Sequence, residues 1–192
     1  MNDFTIALIK LLPYSMPRLV KIEEIITHIF KNDFRIREMR WVVLKKREAE
    51  NLYDNGPDWL HTVGNKIIKN CQEAGVRPEE LLKTNNPLEL GQLVTKWNVE
   101  YLTKRPLPVM EIIGSNGNVV QEFRDFLGPT DPSKAPKHTL RGHHAINGET
   151  GAKATLEQRV IYNTAHASDS PEAAVREKKI LWAAQIWSPY NE

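Results

Sequence analysis

The stretch Val160-Ile161-Tyr162-Asn163-Thr164-Ala165-His166-Ala167-Ser168-Asp169-Ser170-Pro171-Glu172 passes from β-prone residues to a helix start. Val160-Ile161-Tyr162 reads as a short strand. Ser170 stands where an N-cap belongs and Pro171 at the first helical position, so a helix begins there and runs to about Trp182. His166 lies between the two elements, and Glu177 falls in the second turn of the helix. A carboxylate at that place can accept the proton of one ring nitrogen and leave the other neutral and nucleophilic. Taken alone, such a pair also occurs as a plain structural contact.

The other elements follow from periodicity and breakers. Phe4 to Ile9 is β-branched and apolar with Lys10 at its end, a buried strand. Leu11 to Arg18 holds Pro13 and Pro17 and reads as a loop. From Leu19 to Phe30 the apolar residues fall at helical spacing, and Phe34 to Leu44 reads as a strand. A short helix starts at Glu48 and reaches Tyr53. Residues 56–104 then read as largely helical, with helices over Trp59–Glu73, Arg77–Lys83 and Leu88–Leu102 broken by Gly75 and by Asn85-Asn86-Pro87. Leu107 to Ile113 is strand-like, and Val119 to Leu127 follows a turn at Asn116-Gly117-Asn118. Gly128 to His138, with three prolines, is irregular. Ala152 to Arg159 reads as a loop or a frayed helix. Strands with helices between them predict an α/β (α+β) sandwich, and the order fits a ferredoxin-like split βαβ with an antiparallel four-stranded sheet and helices on its faces.

The chain has 192 residues, one domain's worth. Its 26 Lys+Arg and 24 Asp+Glu leave a net charge of +2, which argues against a protein held to nucleic acid by bulk charge. The single cysteine, Cys71, can form neither an intramolecular disulfide nor a cysteine-based zinc site, and this fits a reducing compartment. The apolar patch Ile6–Leu12 is too short to span a membrane and lacks the marks of a signal peptide, so the expected location is the cytoplasm.

Two motifs match no specific pattern. Gly148-Glu149-Thr150-Gly151-Ala152-Lys153 lacks the phosphate-loop pattern and a strand to feed it, and reads as a surface turn. His138, His143 and His144 show no zinc spacing and read as solvated or loosely packed imidazoles. A third set is specific when taken together. Ala7-Leu8-Ile9-Lys10 ends the first strand. Arg124-Asp125-Phe126-Leu127-Gly128-Pro129-Thr130-Asp131-Pro132 leads to Thr139-Leu140-Arg141-Gly142. Asn163-Thr164-Ala165-His166-Ala167-Ser168-Asp169-Ser170 follows, with Glu177 beyond.

These segments resemble the nucleoside diphosphate kinase family: its A-x-I-K-P strand end, its arginine and L-G-x-T-x-P stretch followed by T-I-R-G, and its N-x-x-H-x-S-D-S motif with a glutamate further on. The likeness covers residues 106–192 well and about the first 53 weakly. The chain then reads as one such domain over 1–192, with a helical insert at about 56–104 and a longer loop at about 143–160. Leu11 and Leu12 replace the proline and aspartate that follow the family's lysine.

The resemblance implies transfer of the γ-phosphate of ATP or another NTP to an NDP by ping-pong through a phosphohistidine on His166. It implies Lys10, Arg124 and Arg141 as phosphate-side cations, Thr130 as a hydroxyl donor, Asn163 on the ribose hydroxyl, Ser168 supporting Glu177, and Tyr53 on the phosphate side. Trp59 is a candidate base platform, although a tryptophan in an apolar helix is more often core. Mg²⁺ is expected on phosphate oxygens and water rather than in a protein cage, with Asp169 near it. The family's assemblies imply a homo-oligomer, a hexamer or tetramer. The competing reading is a nucleotide-binding or protein-interaction module on the same fold with weak or absent exchange, motivated by the insert. A weaker one is a protein that stores phosphohistidine for another acceptor.

Overall fold

A computed structural model describes residues 3–10, 22–115 and 117–188. The chain forms two compact units, one of Met1–Leu44, Arg105–Asn147 and Tyr162–Glu192, the other of Lys45–Lys104 and Gly148–Ile161.

The first unit is built on an antiparallel sheet of β1 (Thr5–Ile9), β2 (Arg35–Val43), β3 (Leu107–Ile113), β4 (Ala165–Ala167) and β5 (Gln185–Ile186), in the order β4-β1-β3-β2-β5. Strand β1 is buried along its whole length because it lies between β3 and β4. Its register pairs Ala7 with Met110 and Ala167, and Leu8 with Val109 and His166. Side chains alternate across a strand, so this register sorts them into two faces.

One face carries Ala7, Ile9, Met110, Ile112, Ala165 and Ala167. It packs on Ile25 and Ile29 of α1 (Ile22–Lys31) and on Phe123, Phe126 and Leu127 of α6 (Val119–Leu127). Phe34, Phe123 and Phe126 meet with ring centroids 5.1–5.4 Å apart, within the range of favourable aromatic pairs. The other face carries Ile6, Leu8, Glu111, His166 and Ser168, and α9 (Pro171–Ala183) lies against it. Ser170 caps α9, its hydroxyl accepting from the Ala173 N–H at 3.1 Å. The buried residues of α9, Ala174, Glu177 and Leu181, recur at helical spacing, so Glu177 sits on the stripe that faces the sheet.

The second unit is helical: α2 (Lys46–Leu52), α3 (Gly56–Glu73), α4 (Pro78–Leu82), α5 (Pro87–Leu102) and α8 (Gly151–Leu156). Pro78 and Pro87 open their helices, and the Asn86 side chain caps α5 by accepting from the Leu88 N–H at 2.9 Å. Helices α3 and α5 pack at very close range. A Cβ placed on Gly91 would lie 2.2 Å from the Leu60 carbonyl oxygen, and one on Gly64 would lie 1.8 Å from that of Pro87. Helix α8 joins this bundle, with Asn70 Nδ2 donating to Thr155 Oγ1 at 3.0 Å. The buried Glu149 accepts a fork of two hydrogen bonds from Arg159 at 2.7 and 2.8 Å.

Three readings of the sequence change. The sheet has five strands, not four: β5 is two residues long, too short for a pattern, and forms because β2 offers Val42 and Val43 as partners. The strand before α9 is Ala165–Ala167 rather than Val160–Tyr162, so His166 lies inside a strand. Alanine is a poor strand former, and pairing with β1 overrides that preference, while Val160 is buried in the second unit. Of Ala152–Arg159, read as a loop or a frayed helix, residues 152–156 belong to α8 (Gly151–Leu156), which also takes in the end of the Gly148–Lys153 stretch read as a surface turn. The loop expected over Leu11–Arg18 lies outside the described residues.

The α3–α5 crossing yields a prediction. Gly91→Val puts a branched side chain into carbonyl contact that cannot yield without separating the helices. We expect a loss of about 1–3 kcal/mol, read as a lower thermal midpoint by circular dichroism. An unchanged midpoint would contradict the close crossing.

Candidate active site

Glu177 is 3% exposed and lies under β4. Its Oε2 accepts from the Ser168 hydroxyl at 2.8 Å, and both its oxygens lie 3.2 Å from His166 Nε2. Ser168 Oγ in turn accepts from the Ile6 N–H at 3.2 Å, so the hydroxyl bridges the sheet backbone and the carboxylate. With Nε2 facing a carboxylate, the neutral ring keeps its proton there and Nδ1 carries the lone pair. The His166 side chain is 27% exposed, which leaves it reachable from solvent.

Helix α9 is held in place beside that contact. Lys178, the next residue, donates to the buried Glu111 carboxylate on β3 at 2.7 Å, and Arg37 pairs with the same oxygen. These bonds, that of Arg37 foremost, hold the Glu111 carboxyl below the usual range against the opposing cost of burial.

The cations group around the β1–β4 end. The Lys10 N–H continues the ladder to the Thr164 carbonyl at 2.9 Å, so Lys10 falls on the His166 face by alternation from Leu8. Burial first, and the charge of Arg141 second, push its pKa down to about 7. Arg141, on α7 (Leu140–His143), donates from Nε and Nη2 to the Ala165 carbonyl at 3.2 and 2.7 Å and from Nη1 to the Gly128 carbonyl at 2.6 Å. A planar guanidinium fork is thus fixed beside the backbone of His166. Gly128, at φ +77°, has no room for a side chain, because a Cβ would meet the Thr139 hydroxyl at 2.5 Å. Arg124, on α6, is exposed and pairs with Asp169.

Asn163 is 3% exposed. Its Nδ2 donates to the Thr130 carbonyl at 2.9 Å, and its buried Oδ1 accepts no hydrogen bond from the described residues. The first unit therefore holds the bonded set His166, Glu177 and Ser168, Lys10 and Arg141 against the backbone of residues 164–165, the Asn163–Thr130 bond, and the Arg124–Asp169 pair next in sequence to Ser168. Tyr53 and Trp59 belong to the second unit, where both are half-buried and their rings lie 6.0 Å apart. Sequence reasoning missed the Arg37–Glu111–Lys178 group. Its signal was a lone glutamate inside the apolar run Leu107–Ile113.

The sequence model for nucleoside diphosphate kinase matches residues 91–186. A nucleoside diphosphate kinase of Pyrobaculum aerophilum is 36% identical over 154 residues, covering 80% of this chain and 82% of that protein. The crystal structure of an NDP kinase from Pyrobaculum aerophilum superposes with a TM-score of 0.82 at 33% identity, over 93% of this chain and 94% of the other. A Borrelia burgdorferi nucleoside-diphosphate kinase with bound vanadate and ADP shares the fold at 16% identity, with a TM-score of 0.66 over 96% and 90% of the two chains. Such a sheet, with a histidine, a buried glutamate and fixed cations at one edge, is that of a phosphotransferase. The chain belongs to the nucleoside diphosphate kinase family.

Lys10 sets a pH test. In the unfolded chain a lysine titrates near 10.4, whereas here it titrates near 7. Between those values the unfolded state binds more protons, so stability rises with pH across that window. The expected slope is on the order of one kcal/mol per pH unit, and Lys10→Met should flatten it. Urea unfolding from pH 7 to 10 measures this; equal slopes in both proteins would contradict the buried lysine.

Proposed function

We propose that this chain exchanges the terminal phosphate between nucleoside triphosphates and diphosphates through a phosphohistidine on His166. The observation that carries the proposal is the buried Ser168–Glu177–His166 connection, which directs the imidazole lone pair to Nδ1. Nδ1 attacks the γ-phosphorus of an NTP such as ATP, the bond to the bridging oxygen breaks, and the NDP leaves. A second NDP takes the phosphoryl group back by the reverse step, which is ping-pong nucleophilic catalysis. As the ring gains positive character, Glu177 stabilises it through Nε2.

The transferring group is highly anionic, so positioning and charge stabilisation carry most of the rate. Arg141 supplies fixed charge, and a phosphate beside Lys10 draws the proton back onto its amine. Arg124 reaches phosphate by exchanging Asp169 for a phosphate oxygen, and the Thr130 hydroxyl adds a donor. The unmatched Oδ1 of Asn163 suits a ribose hydroxyl, which brings the missing donor. A phosphate-side role for Tyr53 rests on the family resemblance, and Trp59 is the candidate base platform.

The donor set also bears on Mg²⁺. Glu177 is engaged by Ser168 and His166, and Asp169 by Arg124, so neither is offered to an all-protein cage. That fits Mg²⁺ carried on phosphate oxygens and water, where it neutralises phosphate charge. The same proposal includes assembly as a homo-oligomer, a hexamer or tetramer, and a cytoplasmic setting. Among the described residues no helix is long and apolar enough to cross a membrane.

Incubation with Mg²⁺ and γ-labelled ATP should place about one label per chain, acid-labile and base-stable, that cold GDP discharges as labelled GTP. His166→Gln should fold and take no label. Wild type that binds nucleotide without labelling would instead support a binding module. Arg141→Ala should lower exchange by roughly 2–4 kcal/mol of transition-state stabilisation, read as kcat/KM on folded protein. Near-wild-type turnover would place the phosphates elsewhere.

A further inference from the structure

His28 on α1 and the adjacent His143 and His144 at the end of α7 converge in the first unit. One ring nitrogen from each lies within 4.8 Å of the other two. Ring centroids are 4.9 Å apart for His28 and His143, 4.7 Å for His143 and His144, and 6.0 Å for His28 and His144. Helix α7 ends at His143, and His144 takes φ −98° and ψ 20° at its C-cap, which lets two consecutive side chains turn to the same place. Phe126 closes one side, its ring 5.4 Å from that of His28.

We propose that His28, His143 and His144 bind one borderline divalent transition-metal ion, of the Zn²⁺ class, at a site separate from the phosphate-binding edge. Imidazole nitrogen suits Zn²⁺, Ni²⁺ and Cu²⁺, whereas Mg²⁺ seeks oxygen, so this site does not compete for the nucleotide's Mg²⁺. Three histidines leave a fourth tetrahedral position for water. Zn–N bonds of 2.0–2.1 Å require nitrogens about 3.4 Å apart, so the set must contract. His143 is exposed and His28 and His144 are half-buried, so the contraction falls on side-chain torsions of the accessible ring. A bound ion ties α1 to the short helix that carries Arg141, two residues before His143. It therefore stiffens the segment that presents the guanidinium.

The test uses the full chain, free of nucleotide and Mg²⁺, titrated with ZnCl₂ in a calorimeter and with Co²⁺ in an absorption spectrometer. Wild type and the control His138→Gln should each take one ion per chain, show the visible bands of tetrahedral Co²⁺, and gain thermal stability with Zn²⁺. His143→Gln, at an exposed position that should fold, and His28→Gln should each weaken binding by at least about tenfold and abolish the thermal gain. Should His28→Gln fail to fold, His143→Gln decides alone. No stoichiometric binding to wild type, or binding equal in wild type and His143→Gln, would overturn the site.

Discussion

A carboxylate buried to 3% exposure must find partners or forfeit its charge, and Glu177 finds them in the Ser168 hydroxyl and the His166 imidazole. That connection sets the ring's tautomer, and the tautomer decides which nitrogen can act as a nucleophile. Everything else in the first unit keeps the contact in register. Ser168 is anchored to the β1 backbone through the Ile6 N–H, so the carboxylate's partner cannot drift along the sheet. On α9, Lys178 grips Glu111 beside Glu177, which fixes the helix in rotation and translation.

The sheet divides its labour between faces. The face turned to α1 and α6 is apolar and supplies the burial that stabilises the unit. The face turned to α9 holds buried polar groups whose desolvation is offset by hydrogen bonds. Placing His166 on a three-residue edge strand gives it backbone rigidity on one side and solvent access on the other. Lys10 and Arg141 then sit where β1 and β4 end, with the Arg141 guanidinium donating to the Ala165 and Gly128 carbonyls.

Much of this was legible in the chain. Ser170-Pro171 marked the start of α9, the run Phe4–Ile9 marked β1 to within one residue, and Leu107–Ile113 gave β3 to the residue, because cap chemistry and apolar runs are local signals. The His166–Glu177 contact was readable as spacing, since a helix returns a side chain to one face in a fixed number of residues. What escaped was non-local. Strand β4 is an Ala-His-Ala segment that pairs only because β1 is there, and β5 exists only beside Val42 and Val43. Glu111 looked like a flaw in a strand until Arg37 and Lys178 met it from elsewhere in the sequence. His28 lies too far from His143 in sequence for any spacing rule to join them.

Glu177 holds the His166 proton on Nε2. Two-bond proton–nitrogen correlation spectra of histidine-labelled protein, recorded on the neutral ring and assigned by comparison with His166→Gln, read the tautomer directly. Wild type should show a protonated Nε2 and a pyridine-like Nδ1 for His166, with a mixed or weakened tautomer signature in Glu177→Gln. A wild-type spectrum with the proton on Nδ1 would contradict it, because the nucleophilic lone pair would then point into the buried carboxylate.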